Sequence, residues 1–192
     1  MSSVHHRNQR LIEELDKKDI NFRKLAENKK YFVGQSDDLV LSDIEATNSA
    51  WCGLHNPEGS GVNIYVNVWT ITSKNQVGGV NESPFNIQFV FNSNIPTGTT
   101  QSQKKICVNM TEPIKEPKGE IYYIDEQENL GDTIGGVQAF TRQVTDLQTV
   151  VSTEYGKYII PEGKTVGLLL QETDDVARGV VAWGWWEEEI SE

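Results

Sequence analysis

The chain has 192 residues, of which 37% are hydrophobic, and a formal net charge of −11 at pH 7. This length suits a single β domain with one hydrophobic core. The acidic balance argues against nucleic acid as a partner, because phosphate binding favours a basic surface. No apolar run approaches the roughly 18–20 residues that span a bilayer. The polar N-terminus also lacks the apolar region of a signal peptide. We therefore expect no membrane span and synthesis in the cytoplasm.

The charge is divided unevenly along the chain. Residues 1–30 hold 8 Lys/Arg and 5 Asp/Glu, a net charge of +3, whereas residues 31–192 hold 9 and 23, a net charge of −14. We place a helical arm at 1–30 and a β-sandwich domain at 31–192. A basic arm on an acidic body suggests that the arm lies on an acidic surface, its own or a neighbour's. A solvated helix is the alternative.

Residues 7–28 contain the one convincing helical pattern, an amphipathic stripe with i, i+4 and i, i+3 spacings. The apolar members of this stripe are Leu11, Leu15, Phe22 and Leu25. Lys18 interrupts the stripe, and Asp19 could instead cap a second short helix. A thin stripe of this kind either docks on the sandwich or pairs with copies of itself. Docking is the preferred interpretation, because amphipathic helices usually bury their apolar face within their own domain.

From Tyr31 onward, roughly nine or ten short segments read as strands separated by turn residues. Turn signals recur every 8–15 residues, and no helical pattern lies between the strands. This organisation predicts a mainly β fold, an antiparallel β-sandwich of jelly-roll-like type with one N-terminal amphipathic helix. Residues 145–155 are a polar crossing whose structure the pattern leaves open.

The clearest strand is 63–72, read as the central strand, where apolar and polar side chains alternate. One face is aliphatic and is expected in the core: Val62, Ile64, Val66 and Val68. The other face is predicted to meet solvent, the helix or another subunit: Asn63, Tyr65, Asn67 and Trp69. A second alternation supplies the apolar face that should pack against the first: Phe85, Ile87, Phe89 and Phe91.

Cysteines and histidines give no pattern for catalysis. Cys52 and Cys107 lie in predicted strands, and two buried free thiols are preferred over a disulfide. His5 and His6 fall in the polar N-terminus, and His55 is placed in a turn. Because no Ser-His-Asp or Cys-His arrangement can be assembled, we expect no enzymatic activity.

Acidic residues are grouped in three places along the chain. The groups are Asp37, Asp38, Asp43 and Glu45, then Asp125, Glu126, Glu128 and Asp132, and finally Glu172, Asp174 and Asp175. Loops at one end of a sandwich could bring two groups together as oxygen ligands for Ca²⁺. None has EF-hand spacing, so solvated loop charge is preferred and no cofactor is expected.

The aromatic residues are the most suggestive feature for binding. Trp183 and Trp185 share one face of the last predicted strand, and Tyr65 and Trp69 share the polar-side face of the central strand. Rings at such positions fill a core, form a protein interface or stack on sugars. These four residues and the helix stripe are the candidate interface or ligand residues.

Several strings together resemble a known group of proteins. They are NPEGSGVNIYVNV at 56–68 and GWWEE at 184–188, with PFNIQFVFN and IIPEGKTVGLLL between them. The pattern resembles a family of small, functionally uncharacterised proteins of spore-forming Firmicutes and their phages. The resemblance covers about residues 31–190, with the N-terminal helix as an addition. It implies a compact β-sandwich with a structural or surface role and supplies no catalytic residues.

The leading hypothesis is a non-enzymatic structural protein that self-assembles or decorates a larger particle or surface, such as a spore, phage or filament. Its arm would contact a neighbouring subunit, either another copy or another structural protein. The alternative is a carbohydrate-binding module that uses exposed tryptophans to bind a glycan.

Overall fold

The computed structural model describes residues 21–41, 48–74, 84–145, 147–172 and 177–190. Within these ranges the chain forms twelve strands and two short helices. The strands are β1 (Tyr31–Gln35), β2 (Leu39–Leu41), β3 (Asn48–Asn56), β4 (Val62–Ser73), β5 (Phe85–Phe91), β6 (Thr100–Gln101), β7 (Lys105–Cys107), β8 (Glu120–Glu128), β9 (Val137–Val144), β10 (Thr149–Ile160), β11 (Lys164–Glu172) and β12 (Ala177–Glu189). The helices are α1 (Phe22–Glu27) and α2 (Leu130–Thr133).

The strands form two antiparallel sheets. Sheet A has the order β10-β4-β12-β1-β7, and β2 pairs with the first residues of β12. Sheet B has the order β6-β8-β3-β11-β5-β9. The prediction of a mainly β, antiparallel fold is therefore confirmed. The segment 145–155, which the sequence left open, contributes most of its residues to the edge strand β10.

The two sheets face each other across one hydrophobic core, in a sandwich-like arrangement. Phe89 of β5 contacts Trp69 of β4 and Trp183 of β12, with ring centroids 5.9 and 6.3 Å apart. These contacts join the inner faces of the two sheets, and large rings contribute much of the buried area in such a core. The core contains Ile64, Val66 and the first three apolar residues of β5. The predicted pairing of these two apolar faces is confirmed for them.

A β-bulge at Asn67 interrupts the alternation of β4. Val66 pairs with Trp185 of β12 and Val68 pairs with Gly184, so Asn67 is an extra residue on β4. An extra residue moves every later side chain to the opposite face of the sheet. Trp69 is consequently buried in the core, and Val68 lies on the outer face. The predicted placement of these two residues was wrong for this reason.

The two cysteines are buried and free. Cys52 lies in β3 of sheet B and Cys107 in β7 of sheet A, and both belong to the shared core. Burial raises the pKa of the Cys52 thiol to about 12. The preferred prediction of two buried thiols is confirmed.

Of the predicted helix over 7–28, the described part is α1, which packs on the outer face of sheet A. Asn21 caps it by accepting a hydrogen bond from the Lys24 backbone amide (2.9 Å). The Phe22 ring meets the edge of Trp186 with ring centroids 5.8 Å apart. The predicted docking of the stripe on its own domain holds for Phe22. Leu11 and Leu15 lie outside the described residues.

Gly156 makes room for Trp186 on this outer face. Its φ is +74°, and a Cβ added here would overlap the six-membered ring of Trp186. Gly163 has a similar φ of +68°, but no atom lies within 4 Å of its added Cβ. The two glycines share one backbone constraint and differ in the space around them.

We expect Gly163→Ala to lower the free energy of unfolding by about 1–2 kcal/mol through backbone strain alone. Gly156→Ala should cost about 1–3 kcal/mol more, because the ring of Trp186 must shift. Urea denaturation of both variants measures the difference. Equal losses in the free energy of unfolding would show that the position of the Trp186 ring does not depend on the absence of a side chain at residue 156.

Candidate functional site

The outer face of sheet A carries a row of small and β-branched residues that crosses five strands. Each member pairs with the next across the sheet: Thr153, Val68, Gly184, Val33 and Ile106. The neighbouring row contains Val151, Thr70, Ala182 and Gln35. This arrangement follows from the period of two, which places alternate residues of each strand on one face.

An open groove of about 610 Å³ lies over the part of these rows formed by β4, β12, β1 and β7. We call it the outer groove and define it by Val33, Gln35, Val68, Thr70, Ile106, Ala182 and Gly184, with Lys104 and Lys105 at the β7 side. Its floor is low because Gly184 and Ala182 have little or no side chain. A Cβ at Gly184 would lie 2.8 Å from Cγ1 of Val68 and 2.9 Å from the Tyr31 hydroxyl. The depth of the groove therefore depends on a glycine at this position.

The charged groups at the groove already have partners. Lys104 forms an ion pair with Asp37, and the Lys105 ammonium donates a hydrogen bond to the Gly119 carbonyl (3.0 Å). The residues that line the groove include no histidine, cysteine or carboxylate. The groove is thus suited to an apolar occupant rather than to an anion.

Aromatic residues border the groove on the side where α1 lies, and we call them the aromatic cap. Its members are Phe22, Tyr31, Tyr65, Tyr155 and Trp186. Tyr65 stacks on Trp186 with ring centroids 5.2 Å apart and planes 4° from parallel. Asn67 donates to the Tyr31 hydroxyl (2.6 Å), so the bulge also supports the cap. Burial raises the pKa of Tyr31, an effect that the Asn67 hydrogen bond partly offsets.

Three of the four predicted aromatic site residues face the core instead of a surface. Trp69, Trp183 and Trp185 are each at most 2% exposed. Trp183 and Trp185 share one face of β12, as predicted. Tyr65 is partly exposed within the aromatic cap. These tryptophans therefore present no ring to a ligand and serve in packing.

Buried glutamates hold two of these indoles in place. The Trp69 indole N–H donates to Glu154, and the Trp185 indole N–H donates to Glu187, each at 3.1 Å. The backbone amides of Lys118 and Gly119 also donate to Glu187. A buried carboxylate is tolerated when hydrogen bonds replace the lost water.

The sequence analysis missed the groove residues Val33 and Ile106. The available signal was an apolar residue next to a core residue in β1. Phe32 faces the core, so its neighbour Val33 must face outward. Of the predicted helix stripe, Phe22 belongs to the cap and Leu25 is partly buried. Leu11 and Leu15 lie beyond the part of the chain that the structure describes.

In two of the predicted acidic groups, carboxylates form ion pairs or hydrogen bonds with other groups of the same chain. Asp38 forms an ion pair with Lys74, and Asp125 accepts a hydrogen bond from the Val40 amide (3.2 Å). Asp37 accepts hydrogen bonds from Lys104 and the Tyr123 hydroxyl, which lower its pKa. Within the described ranges, no three His, Cys, Asp or Glu side chains are arranged to hold a metal ion. Asp43, Glu45, Asp174 and Asp175 lie outside those ranges.

His55 belongs to β3 rather than to the predicted turn. Its Nδ1 lies 2.9 Å from the Thr165 hydroxyl, and its ring meets the edge of Tyr122 with centroids 6.0 Å apart. Thr165 is 3% exposed, so its hydroxyl is shielded from any substrate. Burial lowers the pKa of His55, and Glu120 opposes that effect. This pair is arranged for packing rather than for nucleophilic attack.

The lowered pKa predicts a pH dependence of stability. Because the unfolded chain takes up the proton of His55 at higher pH than the folded chain, acid should favour unfolding. The contribution of His55 should be present above its unfolded pKa of about 6.5 and be lost as pH falls. We expect His55→Gln to reduce the loss in free energy of unfolding between about pH 7 and pH 5. Urea denaturation at both pH values checks this, and equal losses in both proteins would contradict it.

Comparison with known proteins identifies a family whose function is unknown. No curated protein and no solved structure matches the chain. Among the residues that the structure describes, no helix has the length and apolar character of a membrane span. The model of a family of unknown function, DUF6143, matches residues 9–192. The match begins well before residue 31, so most of the predicted arm is part of the family pattern and not an addition to it. The chain belongs to this family of unknown function, DUF6143.

Proposed function

We propose that the protein is a non-enzymatic structural component whose copies associate through the outer groove of sheet A. In this proposal it is a jelly-roll-like sandwich that self-assembles or decorates a larger particle or surface. The spore, phage or filament setting rests on the sequence resemblance described above. Synthesis in the cytoplasm and incorporation into an assembly belong to the same proposal.

The observation that carries the proposal is the exposed apolar character of the outer face of sheet A. Val33 and Ile106 are 37% and 39% exposed, and Val151 on the edge strand is 58% exposed. Val33 and Ile106 are paired neighbours in the outer groove, where they form one patch. Val151 lies outside the groove on the edge strand of the same face. Contiguous apolar patches on a protein surface commonly mark interaction sites.

The chemistry of the groove favours a protein partner over a substrate. Its cations are engaged by Asp37 and by the Gly119 carbonyl, and the side chains on its floor are uncharged. The centre of a protein interface is typically poor in charge, with polar residues at the rim. Lys104 occupies such a rim position beside an apolar floor.

The tryptophans, all of which lie among the described residues, do not favour the glycan-binding alternative. All five tryptophans are buried, including Trp51 and Trp186. Sugar stacking needs an exposed ring face, and Trp186 is covered by Phe22 and Tyr65. Tyr65 is the one member of the predicted aromatic platform that retains partial exposure.

We expect Val33→Glu and Ile106→Glu each to weaken self-association at least tenfold, because either change places a charge in the apolar groove. Sedimentation velocity over a concentration series measures the association constant. The matched control is Val137→Glu on β9, which is 67% exposed and belongs to sheet B. Thermal unfolding of all three variants confirms that they fold.

Two results would overturn the proposal. One is a wild-type protein that stays monomeric at high concentration. The other is self-association that Val33→Glu and Ile106→Glu weaken no more than Val137→Glu does.

A further inference from the structure

We propose that residues 7–20 of a neighbouring copy bind in the outer groove. This inference rests on the proposed function, because a segment that filled its own groove would close this face to a neighbour. It names the occupant of the interface. The segment is the part of the arm that carries Leu11 and Leu15 and precedes the cap of α1 at Asn21.

The chemistry of the segment matches that of the groove. Leu11 and Leu15 are four residues apart, a spacing that places both on one face of a helix. Residues 7–20 contain four Lys/Arg and four Asp/Glu, so the segment has no net charge. A neutral segment with an apolar stripe suits a groove whose floor is apolar and whose lysines are already engaged.

The arm also ends at the right place on the sheet. Phe22 packs on Trp186, and Trp186 pairs with Tyr31 of β1 and Tyr65 of β4. Gly184 lies two residues before Trp186 in β12 and forms part of the floor of the groove. The first described residues of the arm therefore border the groove, and the same position is present on every copy.

The length of the segment fits the width of sheet A. Fourteen helical residues extend about 21 Å at 1.5 Å per residue. Four spacings between five strands amount to about 19 Å. A helix over 7–20 would thus be long enough to cover the groove, which is lined by β4, β12, β1 and β7, and to reach the edge strand β10.

Exchange of the arm between copies keeps the contact that the segment would make on its own body. Swapping an identical element is a low-cost route to association, because no new surface has to evolve.

Mixed disulfide trapping tests the inference on the full chain. Two single variants, Leu15→Cys and Val33→Cys, are mixed in equal amounts and oxidised gently, so that a 15–33 link forms only between chains. Native Cys52 and Cys107 are buried and are expected to stay unreacted. We expect a covalent dimer with a 15–33 link by peptide mass spectrometry. The control mixture replaces Val33→Cys with Val137→Cys on β9 and should give at least tenfold less dimer.

Sedimentation velocity on the reduced mixture separates failure of the inference from failure of the proposed function. Association without the 15–33 link overturns the inference and leaves the proposed function standing. Absence of association overturns both. A 15–33 link that forms within one chain of the Leu15→Cys/Val33→Cys double variant, but not between chains in the mixture, shows that the arm fills its own groove and overturns the exchange.

Discussion

The β-bulge at Asn67 is the constraint on which the arrangement of sheet A depends. One extra residue in β4 turns Trp69 into the core and Val68 onto the outer face. Burying a large apolar side chain contributes about 1.5–3 kcal/mol, so the side of the sheet on which each residue falls matters for stability. The same residue donates to the Tyr31 hydroxyl and thereby supports the aromatic cap. Core packing and the outer groove thus have a common origin in one irregular position.

The irregularity is matched on β10, one of the two strands that pair with β4. On β10, residues 154–157 lie between the partners of Val66 and Val68, with left-handed backbone at Tyr155 and Gly156. Gly156 leaves space for Trp186, and Glu154 accepts the indole N–H of the inverted Trp69. Glu154 gives the buried Trp69 indole a partner for its N–H, and leaving such a buried donor unsatisfied costs about 1–3 kcal/mol. Together, the bulges in β4 and β10 and the buried carboxylate of Glu154 allow Trp69 to lie in the core.

Sequence alternation was sufficient for most of the fold and insufficient for the site. Period-two patterns located β4 and β5, because an apolar face must meet the core wherever these strands pair. The bulge at Asn67 was not predictable, since the pattern of β4 reads as regular up to Trp69 and the extra residue is evident only from its partners. Assigning Trp69 to the wrong face led to an aromatic platform that does not exist. It also placed Val68 in the core, although this residue lines the groove. The groove could not be predicted, because Val33, Val68 and Ile106 come from three strands far apart in sequence.

One half of the outer face of sheet A is covered by the arm, and the other half is open. Phe22 of the arm covers Trp186 on one half, which accounts for the low exposure of that ring. The other half keeps a row of Val and Ile side chains beside a floor of glycine and alanine. A glycine at 184 weakens a strand, since it has no side chain to pack, and is often found where another backbone approaches closely. The Cβ that it lacks would meet Val68 and Tyr31, so the low floor is needed both for the packing beneath the cap and for an occupant of the groove. The closed half therefore acts as an anchor for the arm, and the open half is the surface that the arm's remaining apolar stripe is suited to cover.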